Sequence, residues 1–214
     1  MVYHAFILVW GERFVRDYVE VALPLQCMGG NLPTLAGQGE VHYHIYTDRT
    51  SLDAFKPEIQ NLKKFANLKF HLIDEIEVGG KKLFEKVKTL SGPQVKHEIL
   101  FHCFLNLAEL ALADNGSIII VLDSNLLLSN GTLAAASKRM VEGFNAVNVN
   151  FLRVESESIL PLLKNDLTVK PRTLVRLGLD HLHHIQKSFF IDAKPFTAYP
   201  SQLNWRVGDE GILA

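Results

Sequence analysis

Two oxygen-bearing side chains, Asp123 and Asn125, stand one residue apart directly after an apolar run over residues 118–122. A continuous apolar run of this kind is typical of a strand that is covered on both faces of a sheet. In an open α/β sheet, ligands bind beyond the carboxyl ends of the strands. Asp123 and Asn125 are therefore candidates to hold a hard divalent cation and, through it, phosphate oxygens. The alternative is a strand that runs into a turn in which Asp and Asn bond their own backbone.

Two further segments present polar or aromatic residues where a predicted strand ends. An apolar run over residues 5–10 opens into a glycine, and an alternating run over residues 41–47 ends at an aspartate. The first segment offers backbone N–H donors and an aromatic ring, and the second offers a carboxylate that can accept from a base N–H or a ribose hydroxyl. A nucleotide diphosphate needs both kinds of contact. The predicted nucleotide-binding residues are Trp10, Gly11, Glu12, Arg13, Tyr46, Thr47 and Asp48.

These three segments, residues 6–14, 44–48 and 118–125, resemble nucleotide-diphospho-sugar transferases of the GT-A fold, including a bacterial branch of that class. The resemblance implies that the first two strand ends hold the nucleotide. It also implies that Asp123 and Asn125 occupy the place of the family's Asp-x-Asp motif, which binds Mn²⁺ or Mg²⁺ against the donor's diphosphate. The chain departs from the motif at Asn125, a neutral ligand, so we expect the metal to be held weakly.

Several residues outside these segments are weaker candidates for chemistry. His97 is the candidate for contacting the donor sugar, with a solvated helix-surface histidine as the alternative. Asp209 and Glu210, which stand between glycines, are candidates for a general base on a flexible loop, or for an exposed turn. The late histidines could complete the coordination shell of the metal, or their charge could stabilise the C-terminus of a helix. Those late histidines are His181, His183 and His184.

The periodicity of apolar residues predicts strands that alternate with helices. Such alternation predicts an α/β fold with a mostly parallel central sheet and helices on both faces, which the resemblance narrows to a GT-A-like fold. We expect a single domain over residues 1–214 that belongs to a longer polypeptide and is truncated at its C-terminus. The predicted strands are 5–10, 41–47, 68–72, 118–122, 146–154 and 188–192. The predicted helices cover 14–25, 52–62, 93–113, 132–144, 158–164 and 173–184.

Composition excludes several classes of partner. The formal net charge of -1 over 214 residues gives no field that would attract nucleic acid. No segment is apolar enough to predict a membrane span, and the two cysteines are expected to be free thiols in the cytoplasm. The glycine spacings of a dinucleotide-binding loop and of a P-loop do not occur.

The chain is therefore expected to be a glycosyltransferase-like domain that moves a sugar from a nucleotide-diphosphate donor to an unknown acceptor with the help of a divalent metal. The alternative is a catalytically inactive GT-A-like module that binds or organises a partner. A third alternative, a Rossmann-like enzyme such as a methyltransferase, is disfavoured by the missing glycine-rich loop.

Overall fold

The computed structural model describes residues 1–114, 116–197, 202–208 and 211–213. The chain forms two compact units, Met1–Ala134 and Ala135–Ala214. The single domain expected from the sequence stays a prediction. Within the described residues, no helix is at once long and apolar enough to cross a lipid bilayer.

The first unit alternates strands with helices along most of its length. Its strands are β1 (Val2–Leu8), β2 (Glu40–Thr47), β3 (Asn67–Leu72), β4 (Glu77–Val78), β5 (Lys81–Lys82) and β6 (Ile118–Asp123). Its α-helices are α1 (Glu12–Asp17), α2 (Leu23–Gln26), α3 (Leu32–Gln38), α4 (Lys56–Leu62), α5 (Leu83–Val87) and α6 (Gly92–Leu112). A π-helical turn (Tyr18–Ala22) joins α1 to α2, and 3₁₀ helices cover Arg49–Phe55 and Ile73–Glu75. Helix α7 (Thr132–Val141) begins at the end of this unit.

Four parallel strands form the central sheet in the order β3-β2-β1-β6. This arrangement confirms the α/β class and the parallel sheet expected from the sequence. Parallel neighbours need long crossovers, and the helices supply them. Because all four strands run the same way, their carboxyl ends lie along one edge of the sheet, which we call the carboxyl edge.

Alternate residues of β1 enter two separate apolar cores. Ala5 and Ile7 pack with helices α1 to α4 on one face, while Phe6 and Leu8 pack with α5 and α6 on the other. This alternation follows from the two-residue period of a strand. The helices therefore flank the sheet on both faces, and each face has its own buried core.

The long helix α6 runs close to its predicted bounds of 93–113. Ser91 and Gln94 form a capping box at its start, and Pro93 lies in its first turn, where its missing N–H costs nothing. Ile99, Cys103 and Leu107 are buried along one side of α6. The helix therefore covers the face of the sheet that carries Phe6.

Strand β6 differs from its prediction. The apolar run over 118–122 predicted a strand covered on both faces, but only Leu122 is buried and Val121 is 55% exposed. In the described part of the chain, β6 pairs with β1 alone and is an edge strand of the sheet. The prediction of burial was wrong because an apolar run reports residue type and not the number of neighbouring strands.

The segment that follows β6 is anchored to the turn between α2 and α3. Buried Asn31 donates to the carbonyl oxygens of Leu25 (2.9 Å) and Ser129 (3.1 Å) and accepts from the backbone N–H of Leu133 (3.1 Å). Gly30 lies so close to Gly131 that a Cβ at residue 30 would stand 2.6 Å from the Gly131 nitrogen. These contacts fix the path of the chain beyond Asp123.

The second unit is built from short elements. Its helices are α8 (Ser156–Asn165), α9 (Pro171–Asp180) and α10 (His184–Lys187), and β7 (Trp205–Val207) pairs with β8 (Gly211–Leu213) as an antiparallel hairpin. The predicted helix over 158–164 is confirmed. The predicted helix over 173–184 ends earlier, at Asp180, because Leu182 bridges to Val154 instead.

Two strands predicted in this unit are wrong. Residues 146–154 contain only the single bridge at Val154, and Val149 and Phe151 are 48% and 54% exposed. The alternation in this segment therefore has no buried face to stabilise a strand. Residues 188–192 follow α10 as turns with a single bridge from Phe190 to Asn204, and the Phe189 N–H donates to the Gln186 carbonyl.

Candidate functional site

The register of the sheet brings the three predicted strand ends to the carboxyl edge. Leu8 of β1 pairs with Tyr46 of β2 on one side and with Asp123 of β6 on the other. The residues that follow Leu8 and Tyr46 therefore leave the sheet at the level of Asp123. Since β2 and β6 are both neighbours of β1, their ends are roughly 10 Å apart, about two strand spacings.

Asp48 joins the first two strand ends directly. Its Oδ2 accepts from the backbone N–H of Gly11 (2.9 Å), and its Oδ1 accepts from the backbone N–H of Ser51 (2.7 Å) and the hydroxyl of Thr50 (2.8 Å). We call this set of bonds the Asp48 clamp. Gly11 has a φ of 82°, a left-handed conformation that glycine adopts without strain. The clamp holds the loop after β1 against the loop after β2.

The clamp keeps the Asp48 carboxylate ionised. Partial burial raises the pKa of this carboxyl, but hydrogen bonds from Ser51, Gly11 and Thr50 outweigh burial, and the pKa lies below its ordinary value. Among the residues that the structure describes, Oδ2 accepts one hydrogen bond, and its second lone pair can accept from a further donor. Asp48 can therefore serve both the fold and a ligand hydroxyl.

The other predicted nucleotide-binding residues differ in exposure. Glu12 and Arg13 are exposed in the first turn of α1, and Trp10 is partly buried against the core beneath α6. Tyr46 is fully buried, with its hydroxyl donating to Asn106 Oδ1 at 2.8 Å. Thr47 is also fully buried, and its hydroxyl has no hydrogen-bond partner within the part of the chain that the structure describes. The Tyr46 carbonyl accepts from the Val9 N–H at 3.0 Å, so Tyr46 is used within the fold and does not offer a group to a ligand.

Asp123 and Asn125 are both exposed at the end of β6. The carboxylate Oδ1 of Asp123 lies 3.4 Å from the Ser124 hydroxyl and from the Asn125 backbone N–H, and the Asp123 carbonyl accepts from Leu126 at 2.9 Å. The turn foreseen as the alternative is thus present. In the described residues Oδ2 accepts no hydrogen bond, so Oδ2 and the Asn125 amide oxygen are two ligands that suit a hard cation. Mg²⁺ commonly takes few protein ligands and completes its shell with water and substrate phosphates.

The remaining candidates do not join this edge as a group. His97 is exposed in the second turn of α6, and His102, one turn further on, lies 2.8 Å from the Lys86 ammonium and 3.2 Å from the Glu98 carboxylate. Asp209 and Glu210, the predicted general bases, lie outside the described residues. Their role stays a prediction.

In the second unit, Glu155, His183 and His184 each place one ligand atom within 4.8 Å of the others. His183 caps α10: its Nδ1 accepts from the Ile185 backbone N–H at 3.2 Å. That bond occupies the lone pair of Nδ1, and in a neutral ring it places the proton on Nε2. The His184 side chain is 78% exposed. The cluster is explained by the start of α10, and His181 bonds elsewhere, to the Ser158 hydroxyl at 2.9 Å.

Sequence reasoning missed a second polar group, on the α6 side of the sheet. His4, His44 and His71 from three neighbouring strands are joined by hydrogen bonds and end on Asp114. We call these four residues the histidine chain. The signal was present in the sequence, because each histidine lies in a predicted or adjoining strand segment on the face opposite to its apolar neighbours. Only the strand order, which the sequence does not state, brings them together.

We compared the chain with protein-family models, with curated proteins and with solved structures, and none of the three comparisons found a match. The resemblance to nucleotide-diphospho-sugar transferases therefore depends on the three motif segments alone and stays a prediction.

Proposed function

We propose that the first unit is a GT-A-like domain that binds a nucleotide-diphosphate sugar at the carboxyl edge and transfers the sugar to an acceptor. The observation that supports this most is the bond from the Gly11 N–H to Asp48, with Asp123 ending the strand on the other side of β1. This placement puts the three motif segments on one edge. Ligands of open α/β sheets bind at such an edge.

Each segment would make a different contact with the nucleotide sugar, according to the groups that it offers. The second lone pair of Asp48 Oδ2 would accept a ribose hydroxyl or a base N–H. The exposed Arg13 would add positive charge near the phosphates.

The charge at this edge argues for a divalent cation. Asp48, Asp123 and Glu12 are carboxylates, and a diphosphate beside them needs compensation. Mn²⁺ or Mg²⁺ held by Asp123 and Asn125 would supply that compensation and stabilise the departing diphosphate. With one carboxylate and one amide, the chain alone would hold the ion weakly, so nucleotide and ion would bind together.

Calorimetry with UDP-glucose and GDP-mannose, each with and without Mn²⁺, tests this proposal. We expect binding of one of them that strengthens with Mn²⁺ and that weakens by about tenfold or more in Asp123→Ala. Asp53→Ala, which removes an exposed carboxylate paired with Lys56, is the matched control and should bind as the parent does. Binding that is indifferent to Mn²⁺ and to Asp123 would contradict the proposal.

A second candidate function is a GT-A-like module that binds but does not catalyse. Asn125 favours it, because a neutral ligand replaces the second carboxylate of the motif, and so does the engagement of Asp123 in its own turn. Release of UDP or GDP in the presence of Mn²⁺ separates the two. Metal-dependent binding with no release over hours, with water or added sugars as acceptor, would favour the module.

A further inference from the structure

The histidine chain crosses the sheet from one end of its strands to the other. The Nε2 of His4 lies 3.0 Å from Asp114 Oδ2, and Asp114 precedes β6 at the amino-end side of the sheet. Nδ1 of His4 lies 3.1 Å from Nε2 of His44, and Nδ1 of His44 lies 2.9 Å from Nε2 of His71. His71 pairs with Tyr46, whose other neighbour, Leu8, pairs with Asp123. The histidine chain thus ends level with the carboxyl edge.

These contacts permit one consistent assignment of protons when all three rings are neutral. The carboxylate of Asp114 only accepts, so Nε2 of His4 carries the proton and Nδ1 of His4 accepts. Nε2 of His44 must then donate to His4, and Nε2 of His71 must donate to Nδ1 of His44. All three rings are Nε2–H tautomers, and every hydrogen bond in the chain points towards Asp114.

The outer nitrogen of the chain is its point of entry for a proton. In this assignment Nδ1 of His71 holds a lone pair, and the structure records no hydrogen bond to it among the residues described. His71 is partly buried, whereas His4 and His44 are buried. The Asp114 side chain at the other end is 43% exposed. Only His71 and Asp114, the two ends of the histidine chain, are therefore in contact with solvent.

Neighbouring groups on the sheet bear on the charge that the chain can carry. His42 stacks on His4 with ring centroids 5.0 Å apart, and its Nε2 lies 3.3 Å from Glu40. Lys69 of β3 stands beside His44 in the register. His42 and Lys69 both disfavour added positive charge on the histidine chain. Asp114 is the carboxylate that contacts the chain directly and favours such charge.

Groups from α6 and from the strand end add little charge to this face. The buried Cys103 has its pKa raised by burial to about 12, so it stays a neutral thiol. Tyr46 stacks on His71 with centroids 4.4 Å apart, and its hydroxyl bonds to Asn106, an uncharged side chain of α6. Neither group therefore carries a charge that would act on the histidine chain at ordinary pH.

We propose that the histidine chain is a proton relay that takes up one proton at His71 and places the resulting charge at His4, beside Asp114. A solvent proton bonds to Nδ1 of His71, whose Nε2 proton passes to Nδ1 of His44. The Nε2 proton of His44 then passes to Nδ1 of His4. His4 ends as an imidazolium against the Asp114 carboxylate. Each ring that gives a proton has gained one, and every hydrogen bond survives, two of them with reversed direction.

The middle residue is suited to pass a proton without keeping it. Burial, followed by repulsion from His71 and His4, lowers the pKa of His44 to about 3. His44 therefore stays neutral near pH 6 and exchanges one N–H for another. Burial also lowers the pKa values of His4 and His71, so uptake by the chain is expected below pH 6.5, the ordinary value for histidine.

Long-range ¹H–¹⁵N correlation spectra of the histidine side chains between about pH 4 and pH 8 test the relay, since they report the tautomer of each ring. At high pH we expect three Nε2–H rings. On acidification we expect His44 to change to a neutral Nδ1–H ring and His4 to become doubly protonated, at the same midpoint as the change at His71. Retention of the Nε2–H tautomer at His44 while His71 is protonated would overturn the proposal.

Two variants separate a relay from mere packing. In His44→Gln the amide can donate to His4 and accept from His71 but cannot pass a proton, so His71 should titrate alone and His4 should keep its tautomer. In Asp114→Asn the midpoint of uptake should fall by about 1 pH unit or more, because the attracting carboxylate is lost. Asp53→Asn is the control and should leave the midpoint unchanged. Joint titration of His4 and His71 in His44→Gln would contradict the relay. This inference does not depend on the proposed function.

Discussion

At the carboxyl edge, Asp123 is exposed and accepts hydrogen bonds of 3.4 Å within its own turn, whereas His44 is buried and both its ring nitrogens are bonded to other histidines. The two regions share a sheet, and both collect polar side chains from several strands. At the edge, lone pairs remain for a ligand. In the histidine chain, the lone pairs of His4 and His44 are used internally. Polar groups gathered by a sheet can therefore face outward for binding or be satisfied within the fold, and burial separates the two cases.

Breaking the histidine chain at its centre should have the largest effect on stability. His44→Leu leaves Nδ1 of His4 and Nε2 of His71 without partners in a buried setting, and we expect a loss of about 3 kcal/mol in the free energy of unfolding. Urea denaturation measures it. His97→Leu, at an exposed position of α6, is the control and should change stability by less than about 0.5 kcal/mol. Equal stability of the two variants would show that the histidine chain does not contribute to the free energy of unfolding.

Removing the Asp48 clamp should cost less, because Asp48 is only partly buried. Asp48→Ala deprives Gly11, Ser51 and Thr50 of their acceptor, and we expect a loss of about 1.5 kcal/mol, in the range of a helix N-cap. Denaturation of Asp48→Ala beside Asp53→Ala checks this. If the proposed function holds, Asp48→Ala also weakens binding of a nucleotide sugar by more than this stability loss explains.

As the pH falls, the fold should lose stability through the buried histidines before the Asp48 carboxylate of the clamp is protonated. The pKa of His44 falls from 6.5 to about 3 on folding, so its unfolded form binds more protons between these values. Stability is then fully present above pH 6.5 and is lost as the pH falls towards 3, with a slope of at most about 1.4 kcal/mol per pH unit for one proton. Melting temperatures across this window measure the effect. A slope that stays unchanged in His44→Leu would contradict the assignment.

Asp123→Ala should have the smallest effect on the free protein. The side chain is exposed and its hydrogen bonds are long, so we expect a change in stability below about 0.5 kcal/mol. The same variant should lose cation-dependent binding of the nucleotide sugar. A large loss of stability would mean that Asp123 serves the turn and not a ligand.

The elements of the first unit followed from the sequence because their signals are local. The stripe of apolar residues and the Pro93 start predicted α6, and alternation predicted β2. The exposure of β6 could not be predicted, because an apolar run does not reveal whether a second strand pairs with its outer edge. The strand predicted over 146–154 failed for a related reason, since alternation without a partner surface does not form a strand.

The candidate site was predictable in part. Strand ends gave Asp48 and Asp123 as residues of one edge, because parallel strands finish together. The bond between Asp48 and Gly11 and the burial of Tyr46 were not predictable, since they depend on which face each loop residue turns to. The histidine chain was not found because its bonds are diagonal across three strands, and diagonal contacts require the order and register of the sheet.

Backbone amide spectra are the most direct test of ligand binding at the carboxyl edge. UDP-glucose and GDP-mannose are added to ¹⁵N-labelled protein with and without Mg²⁺. We predict that one nucleotide sugar, with Mg²⁺ present, shifts the amides of residues 10–13, 47–51 and 123–126 and leaves those of His4 and Asp114 in place. Shifts confined to other parts of the chain, or none with either nucleotide sugar, would contradict the assignment of a nucleotide-sugar site to this edge.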